Sequence, residues 1–189
     1  MWTNVTYDVL GKIFTDRFGN KFIVEELAYR DKYHVAHYKI RFIESGFVTI
    51  ATSAHIRGSK GRRPQDRLSP SVFGVGIMGY AYGKDSPKLF DVWRSMIARC
   101  YNQKNPSYKT YGGKGVTVCD RWKRFDYFLE DIKEVPGYDQ DAINDGKLVL
   151  DKDLLSNGTP IYSKETCCFI TRGENARESA QRRWNGNKV

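Results

Sequence analysis

Tyr111-Gly112-Gly113-Lys114-Gly115-Val116-Thr117-Val118-Cys119-Asp120-Arg121-Trp122 is the stretch whose reading decides the fold. Three glycines in five residues predict a sharp turn, because glycine tolerates close approach and positive φ. Val116-Thr117-Val118 then predicts a short strand. A second amphipathic helix is expected from near Asp120, with Trp122, Phe125, Phe128, Leu129 and Ile132 facing inward, ending at Pro136-Gly137. Lys114, Arg121, Lys123 and Arg124 collect around the start of that helix. The turn reads either as a phosphate seat, built from backbone N–H groups and a helix N-terminus, or as a structural turn with incidental charge.

Upstream, Ser86-Pro87 opens the strongest helical pattern in the chain. Ser86 suits the N-cap and Pro87 the first helical position, and Leu89, Phe90, Trp93, Met96, Ile97, Cys100 and Tyr101 recur on one face. The opposite face carries Lys88, Arg94 and Arg99. Downstream, Lys147 to Asp153 predicts a strand ending in two carboxylates, Asp151 and Asp153, which strand alternation would put on one side. Such a pair reads either as solvated carboxylates or as ligands for a hard divalent cation. The loop Ser156-Asn157-Gly158-Thr159-Pro160 returns the chain to a brief helical turn near Ser163, Glu165 and Thr166. A polar tail with Arg172, Arg177, Arg182, Arg183 and Trp184 closes the sequence.

The first 80 residues read differently. Lys12-Ile13-Phe14 and Lys21-Phe22-Ile23-Val24 flank a turn at Gly19-Asn20, Tyr33 to Phe42 alternates, and Phe47 to Ile50 follows the turn Glu44-Ser45-Gly46. Short strands joined by hairpins predict a small antiparallel barrel-like domain of SH3 or Tudor size, closed by the glycine-rich stretch 71–80. Between the two lies a basic loop, Arg57-Gly58-Ser59-Lys60-Gly61-Arg62-Arg63-Pro64, either a solvated loop or a set of cations reaching phosphates. The expected class is α+β, with a β-rich accessory domain over 1–80, a helix-containing module over 86–175 and a basic tail over 176–189.

Composition bounds the partners. Lysine and arginine number 31 against 22 acidic residues, a formal charge of +9, which is the balance of a protein that meets polyanions. No apolar run approaches the length of a membrane span and no secretory leader is evident, so a cytoplasmic location without membrane contact is expected. Cys100, Cys119, Cys167 and Cys168 lack zinc-ribbon or disulfide-framework spacing, and reduced core thiols are expected with no structural zinc.

The block 111–122, followed by Leu150-Asp151-Lys152-Asp153 and then Tyr162-Ser163-Lys164-Glu165-Thr166-Cys167-Cys168-Phe169, resembles the HNH-type endonucleases common in bacteriophage genomes, over about residues 86 to 175. The resemblance implies a ββα-metal fold, double-stranded DNA as partner, and hydrolysis of a phosphodiester bond supported by Mg²⁺ or Mn²⁺. In the family a histidine activates water, and an aspartate with an asparagine or histidine holds the metal. Asp151 matches the aspartate. Lys152 stands in the place of the histidine and Thr166 in that of the asparagine, so Asp153 or Glu165 would have to complete the metal shell. The only histidines, His34, His37 and His55, lie in the N-terminal region. A lysine, with an ordinary pKa of about 10.4, is a poor general base and more naturally contacts a phosphate.

Two functions follow as expectations. The first is a phage-type HNH-like endonuclease, with Asp151 and Lys152 as catalytic residues, Asp151, Asp153, Glu165 and Thr166 around the metal, and DNA held by Arg57, Lys60, Arg62, Arg63, Lys114, Arg121, Lys123, Arg124, Arg172, Arg177, Arg182 and Arg183. The second keeps the scaffold without cleavage, a DNA-binding or regulatory protein acting on a host system through its DNA or a protein partner.

Overall fold

The computed structural model describes residues 8–58, 61, 63–156 and 158–186. The chain is α+β and divides into two compact units, Met1–Ser69 and Pro70–Val189. No helix among the described residues is long and apolar enough to cross a membrane.

The first unit is a four-stranded antiparallel meander, β1 (Ile13–Thr15), β2 (Lys21–Arg30), β3 (Ala36–Phe42) and β4 (Val48–Thr52), with a one-turn helix α1 (Ser53–Ile56). Alternation along β3 works as expected: Ala36, Tyr38, Ile40 and Phe42 are buried against Phe22, Val24 and Ile56, while Arg41 of the other face is exposed. Buried Asp16 anchors the first hairpin turn. Its carboxylate accepts the amides of Phe18 (2.7 Å) and Asn20 (3.0 Å), and the amide of Asp66 at 3.3 Å. Burial pushes this carboxyl up, and the hydrogen bonds outweigh it, holding the group below its ordinary pKa.

The expected barrel does not close. Sheet order runs β1-β2-β3-β4 and leaves β1 and β4 as edges, because a barrel needs every strand bonded on both sides and β1 offers only three residues. Nor does the stretch 71–80 belong to this sheet. Val72, Phe73 and Met78 pack in the second core, and Ile77 bridges to Arg124, so the chain divides at Ser69 rather than near residue 80.

The second unit is built on α2 (Pro87–Tyr101), which buries Leu89, Trp93, Met96, Ile97 and Cys100. Pro87 sits at the helix start as expected, whereas the Ser86 side chain makes no capping bond. β5 (Thr117–Val118) follows the glycine turn. The expected second helix is shorter than its pattern: a 3-10 turn carries Trp122, and α3 (Phe125–Asp131) begins only at Phe125. Trp93, Trp122, Phe125 and Phe128 form a fully buried aromatic cluster, with the Trp93 indole N–H donating to the Trp122 carbonyl at 2.8 Å.

α4 (Gln140–Asn144) leads into β6 (Leu148–Asp151), β7 (Ile161–Tyr162) pairs in parallel with β5, and β8 (Cys168–Thr171) pairs antiparallel with β6. The described part of the expected basic tail, up to Gly186, lies in a helix, α5 (Arg172–Gly186). A reciprocal capping box starts it: Thr171 Oγ1 accepts the Glu174 amide (3.2 Å) while Glu174 accepts the Thr171 amide (2.8 Å). The thiols of Cys100 and Cys167 are buried in this core, and burial pushes them up to about 11 and about 12 respectively.

Candidate functional site

β6 and β8 pair antiparallel, with β7 between them in the chain, and α5 follows β8 directly; β6 ends on Asp151, so Leu150-Asp151-Lys152-Asp153 lies where the first strand of this hairpin-like pair turns away. The strand does not continue to Asp153, which corrects the expectation of two carboxylates on one face. Asp151 is buried, and its Oδ1 accepts the amides of Asp153 (2.8 Å) and Leu154 (2.9 Å), folding the chain into a turn. Lys152 is also buried. Its ammonium pairs with the Asp153 carboxylate and stands 5.6 Å from the centroid of the Tyr111 ring.

Thr166 is committed to the turn before β8. Its hydroxyl donates to the Ile161 carbonyl at 2.7 Å and accepts the Ser163 amide at 3.0 Å. Glu165 is exposed, its carboxyl held below the ordinary range first by a hydrogen bond from Ser163. In this arrangement one Asp151 oxygen accepts two amides, the Thr166 hydroxyl is bonded on both sides, and an ammonium occupies the turn beside them. Among the described residues no group of three His, Cys, Asp or Glu side chains is arranged to hold a metal ion.

The glycine turn is structural. The amides of Lys114, Gly115 and Val116 donate to the carbonyls of Tyr111 and Gly112 at 2.9–3.1 Å, which removes them from any phosphate. Gly115 takes φ +81°, and Gly112 lies so close to α2 that a Cβ there would sit 2.0 Å from the Cys100 carbonyl oxygen.

The cations expected to bind DNA fall into separate sets. Arg121 grips Asp131 with two nitrogens (2.7 and 3.0 Å) and Glu130 with one (2.7 Å), Lys123 pairs with Asp120 (2.7 Å), and Arg124 makes a fork onto Asp126 (2.7 and 3.1 Å). Their charge is largely matched within the unit. Arg57 pairs with Asp8 at 3.0 Å, and Arg63 donates to the Thr15 carbonyl at 2.8 Å. Lys60 and Arg62 lie outside the described residues, as do the side chains of Arg182 and Arg183 on α5. Lys114 is exposed and makes no ion pair among the described residues; the same holds for Arg172 and Arg177, whose Nε atoms donate to the carbonyls of Gly146 (3.0 Å) and Gly173 (3.4 Å).

One residue stands out that the sequence offered only as part of a helix face. Arg99 of α2 places its guanidinium 4.9 Å from the Tyr111 ring centroid and 5.5 Å from that of Tyr162, joining the two tyrosines of the motif stretches. Its Nε is buried and has no hydrogen-bond partner. Compared with protein families, with curated proteins and with solved structures, the chain matches none.

Proposed function

We propose that the second unit is a DNA-binding module on an HNH-like ββα scaffold, acting by occupying its target rather than by hydrolysing it. The observation that carries this reading is the antiparallel pair of β6 and β8 with α5 following β8, Asp151 standing at the end of the first strand and Thr166 just before the second. The charge excess supports a polyanionic partner, and of the cations expected to meet DNA, Lys114, Arg172 and Arg177 make no ion pair among the described residues and are available to neutralise phosphates. Against hydrolysis stand the side chains themselves: a lysine ion-paired to Asp153 is no general base, and His34, His37 and His55 all belong to the other unit.

Fluorescence anisotropy with a labelled duplex tests the binding. The affinity is expected to fall steeply and linearly in log–log form with salt, and Lys114→Ala is expected to reduce that slope by about 1. Duplex affinity insensitive to salt, or no binding at low salt, would refute the proposal.

A further inference from the structure

The hairpin that joins β2 to β3 ends in two exposed aromatic rings. Tyr29, near the end of β2, is 49% exposed and Tyr33, in the turn, is 73% exposed. Printed contacts tie the residues around them into one patch. The Tyr29 ring lies flat on that of His37 across the strand pair, centroids 4.5 Å apart and planes within 11° of parallel. His37 Nε2 meets one Asp31 carboxylate oxygen at 3.2 Å, and the other oxygen accepts the amides of Tyr33 (2.9 Å) and Val35 (3.0 Å). The Lys32 ammonium stands 5.0 Å from the Tyr33 ring centroid, and the Arg30 guanidinium donates to the His34 carbonyl at 3.0 Å. Asp31 is the one acidic residue between Glu26 and Glu44, and its carboxylate is engaged inside the turn. Neither Arg30 nor Lys32 makes an ion pair among the described residues. Backbone bonds hold the tip in shape, the His34 amide on the Asp31 carbonyl (2.9 Å) and the Asp31 amide on the Val35 carbonyl (3.1 Å), so little ordering remains to be lost on binding.

Exposed rings beside unmatched cations are the chemistry that recognises unpaired bases strung on phosphates, each ring offering a face to a base and each cation a charge to the backbone. A duplex keeps its bases stacked on one another and presents none to such rings. The unit around the hairpin has the matching sign: Met1–Ser69 holds twelve lysines and arginines against seven acidic residues. We propose that the first unit binds single-stranded nucleic acid, with bases stacking on Tyr29 and Tyr33 and with Arg30 and Lys32 on the adjoining phosphates. A base on Tyr29 extends the stack that His37 already begins on its other face. DNA and RNA strands share this chemistry. The patch lies wholly within the first unit and stands whether or not the second unit binds duplex DNA.

Fluorescence anisotropy of the full chain with labelled deoxythymidine and uridine strands of about twenty nucleotides, and with a duplex of the same length, is the test. Saturable binding of at least one strand is expected. Tyr29→Ala and Tyr33→Ala should each weaken it about tenfold, while Tyr33→Phe, which keeps the ring, should hold it within about twofold. Duplex affinity should move by less than about twofold in all three variants, and Tyr33→Ala should unfold at the wild-type temperature because so little of that ring is packed. A preference of more than about tenfold for one strand assigns the ligand to DNA or to RNA, and equal affinity assigns it to both. No binding of either strand at low salt, or binding that neither alanine variant weakens, overturns the proposal. Co-sedimentation with phosphatidylserine vesicles that is lost in Tyr33→Ala, without strand binding, overturns it in favour of a membrane surface. Loss of duplex binding with tyrosine-dependent strand binding intact removes only the reading of the second unit.

Discussion

The three glycines of the turn at 112–115 should not respond alike to alanine, because each is there for a different physical reason. At Gly112 an added Cβ would lie 2.0 Å from the Cys100 carbonyl oxygen and 2.5 Å from the Tyr108 ring, so turn and helix would have to separate by about 1 Å or more. Overpacking against backbone of this kind costs about 3 kcal/mol. Gly115 has open space around its Cβ position, and its φ of +81° is the only obstacle. That left-handed conformation costs an alanine about 1 kcal/mol.

At Gly113 φ is not positive and the nearest contact is the Tyr108 carbonyl oxygen at 3.2 Å. A shift of a few tenths of an ångström relieves it, and the lost chain entropy of glycine in the unfolded state offsets the cost, leaving a change within about 0.5 kcal/mol. Trp93 and Trp122 are fully buried in the second unit, so tryptophan fluorescence in urea or on heating reports its unfolding. At roughly 4 °C per kcal/mol for a domain of this size, Gly112→Ala is expected to lower Tm by about 12 °C, Gly115→Ala by about 4 °C and Gly113→Ala by less than about 2 °C. A Gly112→Ala protein as stable as Gly113→Ala would refute the close-packing argument, and with it the assignment of the turn as structural.

Asp151→Ala deprives the amides of Asp153 and Leu154 of their acceptor and is expected to cost about 2 kcal/mol in urea unfolding, whereas Asp151→Asn, which keeps an accepting oxygen, should cost less than half of that. The Arg121 guanidinium, with lesser help from the Trp122 indole, holds the Asp131 carboxyl below its ordinary value. A depressed carboxylate contributes stability that is fully present above the unfolded pKa and is lost as pH falls through the folded one. Asp131→Asn should therefore cost about 1 kcal/mol at pH 7, discounted for the half-exposed arginine, and the gap from wild type should close below about pH 4 in pH-dependent urea melts. Glu174→Ala breaks the capping box of α5 and should remove about 1 kcal/mol of helix stability, read as faster amide exchange in its first turn.

What the sequence made legible was local and periodic. The apolar recurrence from Leu89 to Tyr101 located α2 to the residue, the alternation through Ala36, Tyr38, Ile40 and Phe42 gave the buried face of β3, and Gly19 marked a real turn. β2 hid its length because register shifts between Val24 and Glu26 and between Leu27 and Tyr29 break its period of two, so Glu25 to Arg30 reads as unpatterned. The helix α5 is almost wholly polar and offers no apolar stripe, and the one available signal was Thr171-x-x-Glu174. At the candidate site, the position of Asp151 at a strand end was legible while the use of its carboxylate was not, since the bonds to Asp153 and Leu154 form only once the strand stops. Arg121 could not be recognised as neutralised either: its partners Glu130 and Asp131 lie nine and ten positions on, brought back by α3. Arg99 gained its importance only when Tyr111 and Tyr162 met around it.

Incubation of the full chain with supercoiled plasmid, with Mg²⁺, with Mn²⁺ and with EDTA, tests the central claim most directly when retardation and nicking are read from the same gel. The account predicts retarded plasmid that is released by salt and remains supercoiled under every metal condition. Metal-dependent nicking or linearisation that disappears in Asp151→Ala would contradict it.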